Sequence, residues 1–116
     1  MNNDRVIIML SALAQATRLR VFRLLMKRGE AGLPAGRIAE ALNVPQNTLS
    51  AHLSILSNAG LVSAQREGRS LIYSVNVTAV KIFIGYMVND CCEGHPEICD
   101  ISVSKAGSDA RAAPCP

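Results

Sequence analysis

Tryptophan is missing from the 116-residue chain, and phenylalanine and tyrosine occur only twice each. A core without large aromatic rings must be filled by Leu, Ile, Val, Ala and Met, which favours packed helices over a β-sandwich. Long apolar runs are lacking too. Stretches such as Val6 to Leu10 fall far short of the ~18 residues a membrane span needs. At the start, Asn2, Asn3 and Asp4 stand where a secretory signal would carry basic residues, so a cytoplasmic protein without membrane association is expected. Charged residues make up only 18% against 49% apolar, which excludes a chain disordered by composition and fits one packed domain. Cysteine is absent from the first 90 residues and then appears at Cys91, Cys92, Cys99 and Cys115. A disulfide scaffold would spread its cysteines through the fold. Clustered thiols point instead to local metal or redox chemistry.

The net charge of +3 conceals an asymmetry. Nine basic residues face four acidic ones through Tyr73, whereas three face five beyond it. The front of the chain therefore suits a polyanion and the back does not.

Apolar periodicity organises that front half. Val6, Met9, Leu10 and Leu13 fall on one helical stripe. A second helix is predicted from about Ala16 to Arg28, with Leu19, Phe22, Leu25 and Met26 inward, Arg20, Arg23 and Lys27 opposite, and Gly29 ending it. After a break at Gly32-Leu33-Pro34, a short helix carries Ala35, Ile38, Ala39 and Leu42. Asn43-Val44-Pro45 is a turn, and the next helix, about Gln46 to Asn58, turns Leu49, Leu53 and Leu56 inward before Gly60 stops it. The period then changes to that of two strands, Leu61 to Arg66 and Ser70 to Asn76, joined tightly through Glu67-Gly68-Arg69. A last helix is expected over about Thr78 to Asn89, and residues 104–116, small, polar and Pro-ended, are expected to be disordered.

Two short helices joined by a three-residue turn and followed by a β-hairpin have the order of a winged helix-turn-helix. The fold class is thus mainly α with a small hairpin. In such a unit the first helix braces the second, whose polar face enters the major groove. Here that face offers Gln46, Asn47, Thr48 and Ser50. Gln and Asn match adenine bidentately, and Ser and Thr bond bases or phosphates. Arg66 and Arg69 at the hairpin tip suit backbone phosphate or the minor groove. His52, between Leu49 and Leu53, is read as a packed, hydrogen-bonded histidine ahead of a DNA contact.

Behind the last helix stands Cys91-Cys92-Glu93-Gly94-His95-Pro96-Glu97-Ile98-Cys99. Thiolates are soft ligands and select thiophilic ions. Gly94 and Pro96 allow the chain to loop back, so that Cys91, Cys92 and Cys99 can meet at one atom. Three thiolates suit trivalent arsenic or antimony, whose lone pair takes the remaining position. Zinc, cadmium or lead is the alternative; zinc or cadmium would call for a fourth ligand, for which His95 and Cys115 are the weaker candidates. Adjacent cysteines, with Cα atoms about 3.8 Å apart, are too close for an unstrained bridge. Cys92 and Cys99 are not, which leaves a thiol redox sensor open. An oxidoreductase or metal-transfer module is disfavoured: no base is positioned for catalysis, and such a module has no use for a polar recognition helix and basic hairpin.

Several segments carry a family resemblance. Ala16-Thr17-Arg18-Leu19-Arg20-Val21-Phe22-Arg23-Leu24-Leu25, Ile38-Ala39-Glu40-Ala41-Leu42, Thr48-Leu49-Ser50-Ala51-His52-Leu53-Ser54-Ile55-Leu56, Ala59-Gly60-Leu61-Val62, Arg66-Glu67-Gly68-Arg69 and Tyr73 together resemble the ArsR/SmtB metalloregulatory repressors over about residues 5 to 92. The resemblance implies a homodimer joined through the first and last helices, and a repressor that leaves its operator DNA when it binds an inducer. It also implies a DNA-binding and dimerisation domain over 1–92 and a tail over 93–116 holding part of the metalloid site. Some members carry a Cys-x-Cys site near the start of the helix-turn-helix, but Gly32-Leu33-Pro34-Ala35-Gly36 has no thiol. Zinc sensors of the family place Asp and His along the last helix, and this helix offers neither. What remains resembles the C-terminal arsenite site of a subset of arsenic repressors, with As(III) or Sb(III) as inducer and no permanent cofactor.

Overall fold

The computed structural model describes residues 1–91, with side chains through Asn89. The chain divides into two units, Met1–Val80 and Lys81–Pro116. In the first unit the order is α1 (Asn3–Leu13), α2 (Ala16–Arg28), β1 (Leu33–Pro34), α3 (Ala35–Leu42), α4 (Gln46–Asn58), β2 (Val62–Glu67) and β3 (Ser70–Val75), and α5 (Val77–Gly85) runs across the boundary. Its helical path continues as a π-helical turn over Tyr86–Cys91, where the sequence reading expects α-helix as far as Asn89. The expectations for Cys92, His95, Cys99, Cys115 and the segment 104–116 lie outside the described residues.

Three of the helices, α1, α2 and α5, start where a side chain satisfies a free amide. Asn2 Oδ1 accepts from the Arg5 amide at 2.9 Å, Gln15 Oε1 from the Arg18 amide at 2.9 Å, and Asn76 Oδ1 from the Ala79 amide at 3.1 Å. Pro45 opens α4 with an extended backbone, and Asn43 ends α3 in the left-handed region at φ 57°, a conformation Asn tolerates better than most residues.

The three strands form an antiparallel sheet in the order β1-β3-β2. In the hairpin Val62 pairs with Val75 and Glu67 with Ser70, leaving Gly68 and Arg69 as a two-residue loop. A positive φ at Gly68 and not at Arg69 is the pattern of a type II′ turn. The sequence reading has no β1. This strand is only Leu33 and Pro34, paired with Tyr73 and Ile72 at the sheet edge, a position proline tolerates. Gly32 makes the pairing possible: at φ +67° it lies so close that a Cβ would overlap the Tyr73 carbonyl.

The core of the first unit is aliphatic. Met9 on α1, Val21 and Leu25 on α2, Ile38 on α3, Leu49, Leu53 and Leu56 on α4, and Leu61 before β2 are all at most 1% exposed. The inward face of α2 therefore centres on Val21 and Leu25, whereas Leu19, expected inside, is 42% exposed. Arg5 adds a polar clamp, donating from Nη2 to the Ala59 carbonyl at 3.2 Å and so joining α1 to the end of α4.

Candidate nucleic-acid interface

Burial of Leu49, Leu53 and Leu56 fixes the rotation of α4. Ser50, off that stripe, is turned outward, and Gln46, Asn47 and Thr48 on the opening turn of the helix are exposed as well. Ser50 donates its hydroxyl to the Gln46 carbonyl at 3.1 Å, which leaves its oxygen lone pairs outward. Asn47 Oδ1 accepts from the Thr48 amide at 2.9 Å, so its amide NH₂ remains available to a base edge or phosphate. Pro45 provides no side-chain cap, so with the Thr48 amide held by Asn47 the amides of Gln46 and Asn47 stay unbonded on the first turn of α4. Its free amides form a site that attracts an anion.

The hairpin brings its cations to the same place. Gln46 and Ser50 share an open cleft of about 380 Å³ with Arg66, Arg69 and Tyr73. Among the described residues, neither Arg66 nor Arg69 has an ion-pair partner. Four of the six residues singled out for DNA thus line one depression, and Asn47 and Thr48 stand beside it on the opening turn of α4. The sequence reading does not anticipate Tyr73 in this cleft. It is placed there by the β1–β3 pairing, for which two residues of β1 give no local signal.

A second arrangement holds the recognition helix from behind. Arg18 Nε donates to the Ala12 carbonyl at 2.6 Å, and its Nη1 lies 3.4 Å from His52 Nδ1. A guanidinium can only donate, so this contact is a hydrogen bond in the tautomer whose Nδ1 is the acceptor. His52 is half-buried, in keeping with its reading as a packed, hydrogen-bonded residue. The sequence gives no sign of its partner, since Arg18 reads there only as one basic residue among many.

Of the proposed thiol site, Cys91 closes the π-helical turn after α5. Its side chain, together with Cys92 and Cys99, lies outside the described residues. Among the described residues no three His, Cys, Asp or Glu side chains form a metal-holding group. None of the described helices is long and apolar enough to cross a membrane.

A braced recognition helix beside a cationic hairpin defines a winged helix-turn-helix regulator of transcription, not an enzyme. A helix-turn-helix domain model matches residues 13–63. The transcriptional repressor SdpR of Bacillus subtilis is 34% identical over 87 residues, covering 75% of this chain and 93% of SdpR. The chain belongs to the ArsR/SmtB family of winged helix-turn-helix transcriptional regulators. Two solved structures agree. HlyU from Vibrio cholerae superposes with a TM-score of 0.62 at 28% identity, over 79% of this chain and 99% of HlyU. The homodimeric winged helix-turn-helix DNA-binding domain of Mb0332 from Mycobacterium bovis gives 0.61 at 30% identity, over 79% and 82%.

Proposed function

We propose that this chain is a homodimeric repressor that binds operator DNA through Gln46, Asn47, Thr48, Ser50, Arg66 and Arg69, and that releases it when Cys91, Cys92 and Cys99 bind trivalent arsenic or antimony. The observation that carries the inducer reading is the run Cys91-Cys92 followed by Cys99, which begins in the π-helical turn that follows α5. Three soft donors within one short stretch of sequence favour a thiophilic, three-coordinate centre over zinc, which seeks four ligands. The π-helical turn at Tyr86–Cys91 is a local irregularity of a kind frequent at functional sites.

The dimer reading draws support from the homodimeric Mb0332 and from exposed aliphatic residues. Ile7, Ile8 and Leu10 on α1 are 59%, 46% and 43% exposed, and Ile82 and Ile84 on α5 are 49% and 45% exposed. A protomer this small gains from burying such surface against a second copy. Ligand binding at the end of α5 would then shift the dimer helix and change the spacing of the two recognition helices. A coupling of ~1–3 kcal/mol weakens DNA binding about 5- to 150-fold.

A gel shift on the DNA upstream of the gene, titrated separately with arsenite, antimonite, zinc, cadmium and peroxide, tests the reading. Release by arsenite and antimonite supports it; release by zinc alone contradicts it. One specific observation favours a second reading: HlyU, a related fold, has a solved form described as reduced. Under that reading Cys92 and Cys99 form a disulfide, and peroxide rather than arsenite releases the DNA.

A further inference from the structure

We infer that the outer face of α2 is a second DNA-backbone seat, lying beside the helix-turn-helix and engaging duplex that flanks the segment read by α4. The inference rests on the DNA-binding reading above and extends it to a surface which that reading leaves unused. Arg20, Arg23 and Lys27 recur at i, i+3 and i+7 and are all exposed, so they form one strip. Together with half-buried Leu24 and with Leu42 they line a shallow cleft of about 230 Å³. Arg20 anchors the strip, donating from Nη2 to the Leu42 carbonyl at 2.9 Å. Leu42 ends α3, directly before the turn into α4, so the strip borders the helix-turn-helix at that turn.

Nothing within the described chain accounts for this charge. Among the described residues neither Arg23 nor Lys27 has a hydrogen-bond or ion-pair partner, and Arg23 and Lys27 are i, i+4 neighbours of like charge, which oppose the helix they sit on. Lys27 lies in the last turn, where the helix dipole favours a cation. Arg20 and Arg23 lie further back, where the dipole gives little. The next cleft along α2 differs: there Arg37 is paired with Glu40 at 3.8 Å. Arg28, also exposed, lines that cleft without an ion-pair partner among the described residues, so the unpaired charge of α2 continues from the side bordering Leu42 toward the end of the helix.

Dimension and chemistry both select a nucleic-acid backbone. Seven residues of helix advance about 10 Å, and phosphates of one strand follow at ~3.4 Å along the duplex axis. The strip therefore spans roughly three phosphates. It carries no aromatic ring on which a base could stack, so its contacts are to phosphate and independent of sequence.

The test uses the full chain carrying Arg23→Gln and Lys27→Gln together, because both side chains are exposed and neither holds another element; Arg20 is left intact for its bond to α3. Binding is measured across a salt series on the upstream DNA and on duplexes trimmed stepwise to the shortest that the wild-type chain still recognises. On the long duplex the double variant should lose about 1.8 from the magnitude of the log–log salt slope per engaged protomer. Its affinity would then fall about 12-fold less than that of the wild type between 50 and 200 mM salt. On the shortest duplex the two proteins should bind alike. Equal losses on both duplexes, or no loss on either, would overturn the seat; the second result would leave the strip to a solvated face or an acidic protein partner. Failure of the wild-type chain to bind any upstream duplex would instead overturn the DNA-binding reading itself.

Discussion

Arg18 and His52 are 34 residues apart in sequence and meet at 3.4 Å, with the same guanidinium holding the Ala12 carbonyl at 2.6 Å. One side chain on α2 thereby connects the end of α1 to the middle of the recognition helix. The contact is part-buried, so its loss leaves a charged donor short of a partner.

His52→Ala should lower stability by about 1 kcal/mol. His52→Asn, which offers an acceptor at nearly the position of Nδ1, should recover most of it. Denaturant midpoints of the two variants check this; equal losses would show that the ring contributes only packing.

Gly32 and Gly68 both have positive φ but differ in surroundings. A Cβ on Gly32 would overlap the Tyr73 carbonyl, whereas one on Gly68 meets nothing within 4 Å. Gly68→Ala should cost about 1 kcal/mol for the backbone alone. Gly32→Ala should cost clearly more, because β1 must also separate from β3. Thermal melts of both variants would rank them.

The shared cleft separates reading from positioning. Gln46→Ala should relax base preference at one operator position, at about 1–3 kcal/mol of discrimination if the contact is bidentate. Arg66→Gln and Arg69→Gln should each weaken all sequences alike and reduce the salt slope by about 0.9 per phosphate contact. Binding to a panel of single-base operator variants distinguishes the two behaviours.

The exposed isoleucines give a prediction for assembly. Ile8→Glu on α1 and Ile82→Glu on α5 each place a charge on a surface assigned to the dimer, where an unpaired buried charge is costly. Each variant should sediment as a monomer at concentrations where the wild-type chain sediments as a dimer. DNA affinity should fall in parallel.

Much of this architecture is legible in the sequence because it is local. α2 and α4 lie at the predicted Ala16–Arg28 and Gln46–Asn58, bounded by Gly29 and Pro45, which act on their immediate neighbours. Less local features are not legible. α2 has apolar residues around much of its circumference, so periodicity alone does not choose Val21 over Leu19 for the core; the packing of α1, α3 and α4 does. β1 exists only through Tyr73 and Ile72 some forty residues away in the chain. The exposure of Gln46, Asn47, Thr48 and Ser50 is legible because a polar face on a helix with a leucine stripe is a local pattern. The Arg18–His52 contact was not, since no spacing rule links two residues on different helices.

The most direct test of the account is fluorescence anisotropy of the upstream DNA with the reduced wild-type chain under arsenite titration, repeated with Cys91→Ser and Cys99→Ser. All three proteins should bind tightly without arsenite, the wild type should weaken about 5- to 150-fold with it, and neither variant should respond. Release of DNA by arsenite from either serine variant would contradict the account.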